Sequence, residues 1–222
     1  MNRGKELYDK WKSDYDFRTL FSSAGGLLST VIYALYNGYL GAAHASLWHG
    51  TICVYYLVLA ALRAVIVGTE RRIATDRGSQ RSRDRTQVVA SALLLFLNVC
   101  LVVPLALLVK QEKPVSMTLI PAIASAAYAT YKITMASIHL SRRKTSANHL
   151  VKLLRTINFV DALVSILVLQ NTLIMVASHD GISQMLTLTA LTSGAIWLVI
   201  LILSVASLIG AVRGWKERQA NP

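Results

Sequence analysis

The chain has 222 residues, of which 54% are hydrophobic and 15% charged, whereas an ordinary soluble domain is about 25% charged. That balance points to an integral membrane protein, and its apolar stretches use so much of the chain that they exclude a separate soluble domain. The formal charge of +12 would suggest a nucleic-acid partner in a soluble protein, but its placement gives it another meaning.

Residues 1–18, MNRGKELYDKWKSDYDFR, set Leu7, Trp11 and Tyr15 four apart on one helical face with lysines elsewhere. This predicts a short interfacial helix on the inner leaflet. The segment lacks an apolar core, so no cleavable signal is expected and the first apolar helix acts as an uncleaved targeting signal. Stretches of the ~20 apolar residues that cross a bilayer core follow at about 19–42, 46–67, 87–109, 116–140, 153–177 and 185–211. The expected fold is therefore all-α, with six transmembrane helices in one domain over 19–212 and a tail at 213–222.

The first of these helices contains STVIYALYNGYLG, Ser29–Gly41, a heavy polar load for a lipid-facing segment. Thr30, Ala34 and Gly38 fall four apart, continuing Ser22 and Gly26 and ending at Ala42. Such a stripe of small residues lets another helix approach closely, so a central packing position is expected. The chain then turns through GAAHASLWHG, with Trp48 suited to the outer interface, and the second helix carries Arg63 near its inner end, where it is expected to snorkel to the surface. This hairpin, YALYNGYLG followed by SLW and YYLVLAALR, resembles those of small bacterial membrane proteins. The resemblance implies nothing further; a bacterial plasma membrane is the expected location.

The next loop, TERRIATDRGSQRSRDRT, holds Arg71, Arg72, Arg77, Arg81, Arg83 and Arg85. Such a cluster sets topology, and it also suits anionic lipid headgroups or a phosphorylated protein partner. No aromatic residue interleaves with the arginines to stack on bases, so nucleic acid is not expected. The third helix places Asn98 near its centre and Pro104 near its outer end, and the fourth has Pro121 just after the outer loop. Both helices are expected to bend there, as packing or as the matched irregular helices of a transport site. Lys132 lies within the fourth helix, and Asp161, Gln170 and Asn171 within the fifth. In the sixth, Ala206, Gly210 and Gly214 form a second small-residue stripe, for contact within the protein or in a homodimer.

Basic residues number five in 1–18, seven from Arg63 to Arg85, five from Arg142 to Arg155 and three after the sixth helix. The opposite face has only Lys110 and Lys113. By the positive-inside rule both termini are cytoplasmic.

YALYNG at Tyr33–Gly38 and YATYKI at Tyr128–Ile133 share Tyr-Ala-x-Tyr-polar at an offset of 95 residues. Each sits in the first helix of a three-helix half, and each follows a run of small residues. Since three is odd, a duplicated half enters upside down, and a 3+3 inverted-topology repeat is expected.

A charge deep in a bilayer costs a few kcal/mol on insertion scales, so Lys132 and Asp161 require an explanation. They lie 14 residues before and 15 after the centre of their cytoplasmic loop near residue 146, hence at one depth on antiparallel neighbours. A structural ion pair, a substrate or proton site, and separate snorkelling are the competing readings. Tyr36, Asn37, Asn98, Tyr128 and Tyr131 are candidates to surround a central cavity with hydrogen bonds, or to act as polar glue between helices.

No hydrolase, Walker or dinucleotide motif occurs, and no catalytic residue is assigned. His44, His49 and His179 with Asp180 lack a recognisable zinc spacing, deep histidine pairs for haem are absent, and Cys53 and Cys100 read as small apolar side chains. No metal or cofactor is expected. The leading functional expectation is a small transporter or channel for a polar or ionic solute. The alternative is a non-transporting regulatory subunit that binds a membrane-protein partner or anionic lipid.

Overall fold

The computed structural model of the chain describes residues 15–74, 80–102, 106, 119–141, 149–177 and 182–220. Among these the regular structure is entirely helical, in six elements: α1 (Tyr15–Ala43), α2 (Leu47–Ala74), α3 (Gln80–Cys100), α4 (Leu119–Ser141), α5 (His149–Ala177) and α6 (Ile182–Ala220). Among the described residues two stretches are long and apolar enough to cross a membrane, Leu47–Ile73 in α2 and Leu188–Glu217 in α6.

Several helices extend beyond their apolar stretches. α2 continues through GTERRIA, α3 begins in QRSRDRTQ, α5 begins in HLVKLLR and α6 runs on through RGWKERQA. Arg, Lys, Glu and Gln are good helix formers, so an apolar boundary does not stop the backbone hydrogen-bond ladder. Residues 15–18 are helical as part of α1; Leu7 and Trp11, and with them most of the expected interfacial helix, lie outside the described residues. Asn98 lies close to the last residue of α3 rather than at its centre. Pro121 falls in the first turn of α4, where its missing N–H has no helical partner to lose, which removes the reason for a bend. Pro104 is outside the described residues.

α1 and α2 form an antiparallel hairpin. Two residues past the end of α1, Ala45 turns the chain with a left-handed φ of 48°, and the N–H of Ser46 closes on the Gly41 carbonyl at 3.1 Å, which caps the helix. The small-residue side of α1 lies along α2: Gly26 faces the Arg63 guanidinium, Gly38 faces the Cys53 sulfur and Gly41 faces the Gly50 backbone. By contrast, Gly210 in the stripe on α6 has open space beside it and makes no close helix contact among the described residues. A Cβ at position 41 would stand 2.9 Å from the Gly50 nitrogen and 3.2 Å from its Cα. Backbone cannot step aside as a side chain can, so Gly41→Ala is expected to destabilise the hairpin by about 1–3 kcal/mol. Gly210→Ala is expected to change little. Thermal melts of the two variants in detergent, compared with the parent, check the contrast.

α4 pairs with α5 in the same manner, α3 lies against α6, and α5 against α6; α2 touches both α3 and α5 and closes the bundle. At one end Arg83 of α3 grips Glu70 of α2 with two hydrogen bonds, Nε to Oε1 at 3.0 Å and Nη2 to Oε2 at 2.9 Å. The interior is apolar over Ile52, Leu59, Leu94, Leu154, Ile157, Leu167 and Ile200. The exterior is apolar as well. Leu28, Ile32, Leu35 and Tyr39 line the outside of α1, Val89, Leu93 and Phe96 that of α3, and Leu191, Leu198, Ile202 and Ile209 that of α6.

Candidate functional site

Charge lies at the centre of this bundle. Asp161 of α5 is fully buried, and a single carboxylate oxygen, Oδ2, accepts from Arg63 Nη2 of α2 and from Lys132 Nζ of α4, both at 2.6 Å. Thr30 of α1 completes the cluster. Its hydroxyl accepts from Arg63 Nη1 at 2.7 Å and from Lys132 Nζ at 2.9 Å, and donates to the Gly26 carbonyl at 2.7 Å. Four helices thus meet at two cations, one carboxylate and one hydroxyl.

Arg63 is the member that sequence reasoning assigned elsewhere. It does not snorkel: its side chain is only 1% exposed. α2 continues to Ala74, so the helix end lies about 16 Å away at ~1.5 Å per residue, while Asp161 and Thr30 are within hydrogen-bonding distance. A buried charge adopts the partner it can reach.

A tyrosine layer covers one side of the cluster. The rings of Tyr33 (α1) and Tyr128 (α4) stack with centroids 3.8 Å apart and an interplanar angle of 7°. Tyr56 of α2 meets both rings edge-on, at 5.3 and 5.9 Å, and Tyr55 packs edge-on against Tyr56 at 5.6 Å. Lys132 Nζ sits 5.0 Å from the centroid of Tyr128, within cation–π range. The Tyr33 and Ser125 hydroxyls pair at 3.1 Å, whereas the buried hydroxyl of Tyr56 has no hydrogen-bond partner among the described residues.

On the other side is a pocket of about 20 Å³, lined by Gly26 of α1, Arg63 of α2, Tyr131, Lys132, Met135 and Ala136 of α4, and Asn158 of α5. On α1, α2 and α4 the pocket residues lie nearer than the stacked tyrosines Tyr33, Tyr56 and Tyr128 to the end that carries Arg71, Arg72 and Arg83, and on α5 Asn158 lies on that same side of Asp161.

The chain matches no protein-family model, no curated protein and no solved structure.

The remaining candidates are distributed more widely. Tyr36 is half-buried and flanks the layer, its ring 6.3 Å from that of Tyr33. Tyr131 lines the pocket while remaining 41% exposed. Asn37 is buried on α1, donating to the Tyr33 carbonyl one turn back at 2.8 Å, and takes no part in the cluster. Asn98 belongs to a different junction. It accepts from the Tyr55 hydroxyl at 2.9 Å, donates to Ser204 at 2.7 Å, and its carbonyl accepts from the Trp197 indole at 2.9 Å. These bonds tie α3 to α2 and α6, the role of interhelical glue. Gln170 reaches Thr192 and Ser193 of α6.

Arg71, Arg72, Arg81 and Arg85 have exposed side chains, Arg83 is held by Glu70, and Arg77 lies outside the described residues. Among the described residues no three His, Cys, Asp or Glu side chains are placed to share a metal ion. His49 is buried against Ser46, with Nδ1 3.0 Å from the hydroxyl. His179 and Asp180 are outside the described residues.

Proposed function

We infer that the six helices form a membrane-embedded bundle that conducts a polar or ionic solute past the Arg63–Asp161–Lys132 cluster. The observation that carries this reading is the layering at the bundle centre: buried charges joined by four helices, a pocket on one side and a tyrosine stack on the other. A purely structural ion pair does not require a pocket beside it. In transporters an access pocket on one side of a charged site and a closed layer on the other is the arrangement alternating access implies.

The membrane placement of all six helices draws on the burial pattern. Soluble proteins rarely expose large contiguous apolar surface, yet large apolar side chains line the outside of α1, α3 and α6 while Arg63, Lys132 and Asp161 are inside. The other four described helices carry polar residues, Asn37, Asn98, Ser125, Lys132, Asp161 and Asn171 among them, and these are buried. In this reading the end bearing Arg71, Arg72 and Arg83 faces the cytoplasm, and the pocket opens inward.

The inverted repeat gains support from packing. Exchanging α1–α3 with α4–α6 turns the α1/α2 contact into α4/α5 and α2/α3 into α5/α6 and returns α2/α5 and α3/α6 to themselves, while the smaller α1/α5 and α3/α5 contacts have no equal counterpart. Tyr33 and Tyr128, equivalent at the offset of 95, stack directly on each other, as equivalent residues beside a two-fold axis must. Thr30 and Ser125 share that offset, and each carries a buried hydroxyl.

Purified protein in proteoliposomes, loaded in turn with potassium chloride, ammonium and glycine, tests the reading. Release of at least one solute is expected, and Lys132→Met is expected to slow it by about tenfold or more while eluting like the parent in gel filtration. Vesicles that release none of the three faster than empty controls would count against transport. The regulatory-subunit alternative predicts a co-purifying protein or anionic lipid, lost when Arg71, Arg72, Arg81 and Arg85 are neutralised.

A further inference from the structure

The pocket beside the cluster has a definite electrostatic sign. Its charged walls are Arg63 and Lys132, while Asp161, which pairs with both, is not part of the lining. Two formal positive charges share one carboxylate, so the cluster carries a net positive charge in a site where those residues are 5% exposed or less. An uncompensated charge shielded from water is costly, and an anion in the pocket would neutralise it.

We propose that this pocket binds a monovalent inorganic anion of about the size of chloride and that such an anion is the conducted solute; the second clause rests on the transport reading above. Size and valence agree. The pocket measures about 20 Å³, and one water needs roughly 10–15 Å³ by the same kind of measure, so a monatomic ion has room there. A single excess positive charge is matched by one negative charge and overcompensated by two.

The available hydrogen-bonding groups also agree. Arg63 Nε has no partner although the side chain is 1% exposed, and buried donors of this kind are normally satisfied. Asn158 adds an amide to the lining and Tyr131 a hydroxyl, both able to donate to an anion. Asp161 Oδ1 is also without a partner, but Asp161 is not among the residues that line the pocket. Metal cations are disfavoured, since Arg63 and Lys132 are the first charges they meet.

Two measurements on the full chain test the proposal with chloride as the probe. In detergent at constant ionic strength, replacing gluconate by chloride is expected to raise the melting temperature of the parent. That shift should vanish in Lys132→Met, and it should shrink in Asn158→Leu, which keeps the side-chain size and every charge. In proteoliposomes loaded with potassium chloride and given valinomycin to carry the counter-ion, a silver/silver chloride electrode is expected to record release that falls about tenfold or more in Lys132→Met. A chloride-dependent shift without release of any solute sustains the anion site and overturns the transport reading. Release of ammonium or glycine with neither chloride shift nor chloride release overturns the anion assignment and leaves transport standing. Should Lys132→Met fail to fold, Asn158→Leu and the parent decide: equal melting in chloride and gluconate for the parent sinks the proposal.

Discussion

Asp161→Ala is expected to be the most damaging single substitution in the bundle, and Lys132→Met one of the mildest among its charged residues. The asymmetry follows from the charge count at the cluster. Asp161 is the sole carboxylate shared by Arg63 and Lys132, so its loss leaves two buried cations with Thr30 and the Gly26 carbonyl as their remaining acceptors. Removing one partner from a buried pair costs about 3–5 kcal/mol, and here both cations lose theirs. Lys132→Met has the opposite sign of effect on the charge balance: it leaves Arg63 and Asp161 as a neutral pair and fills the lysine stem's volume with an unbranched apolar chain. Volume-conserving exchanges in a packed interior cost under about 1.5 kcal/mol. Melting curves in detergent, read alongside the gel-filtration profile, should show Asp161→Ala aggregated or strongly lowered and Lys132→Met near the parent. Equal damage from the two substitutions would mean that the lysine's own contacts with Thr30 and Tyr128, rather than charge balance, hold the centre together.

Part of this arrangement was legible in the amino-acid order. Counting outward from the cytoplasmic loop near residue 146 places Lys132 and Asp161 at one level, and there they meet at 2.6 Å. Arg63 escaped because its helix was taken to stop where the apolar residues stop. The same counting, applied to the first turn, sets Arg63 opposite Gly26, which is where it is found, one turn from Thr30 and well inside α2. The signal was present, but an arginine near an apolar boundary has two outlets, and composition does not distinguish them. Asn98 was ambiguous for a related reason. An asparagine that lines a cavity and one that links helices look identical in sequence, and the bonds to Tyr55, Ser204 and Trp197 come from residues far from Asn98 in the chain. The helix ends were the least legible feature, because lysine, arginine, glutamate and glutamine favour a helix and leave the membrane equally well.

Removing the whole cluster separates its structural from its functional role. In the triple variant Arg63→Met, Lys132→Met, Asp161→Leu, no charge is left unpaired and the replacements approximate the lost volume. Exchanging a buried ion triad for apolar residues of similar size is often neutral or stabilising, by about 1–4 kcal/mol, because the desolvation of three charged groups disappears with them. The triple is therefore expected to melt at or above the temperature of the parent, and far above Asp161→Ala, although it contains that same lost carboxylate. Its solute release should nevertheless be abolished, since the pocket keeps its shape and loses both of its charged walls. This pairing of outcomes is what a functional cluster predicts: charges that the fold does not need, retained at a cost in desolvation, are there for something that binds them. Were the triple to melt well below the parent, the cluster would instead be what fixes the register of α1, α2, α4 and α5. Parent-like release from a stable triple would remove the cluster from the conduction path altogether, and any pathway would then have to be sought elsewhere, with the Asn98 junction and the buried Asn171 as the next polar sites.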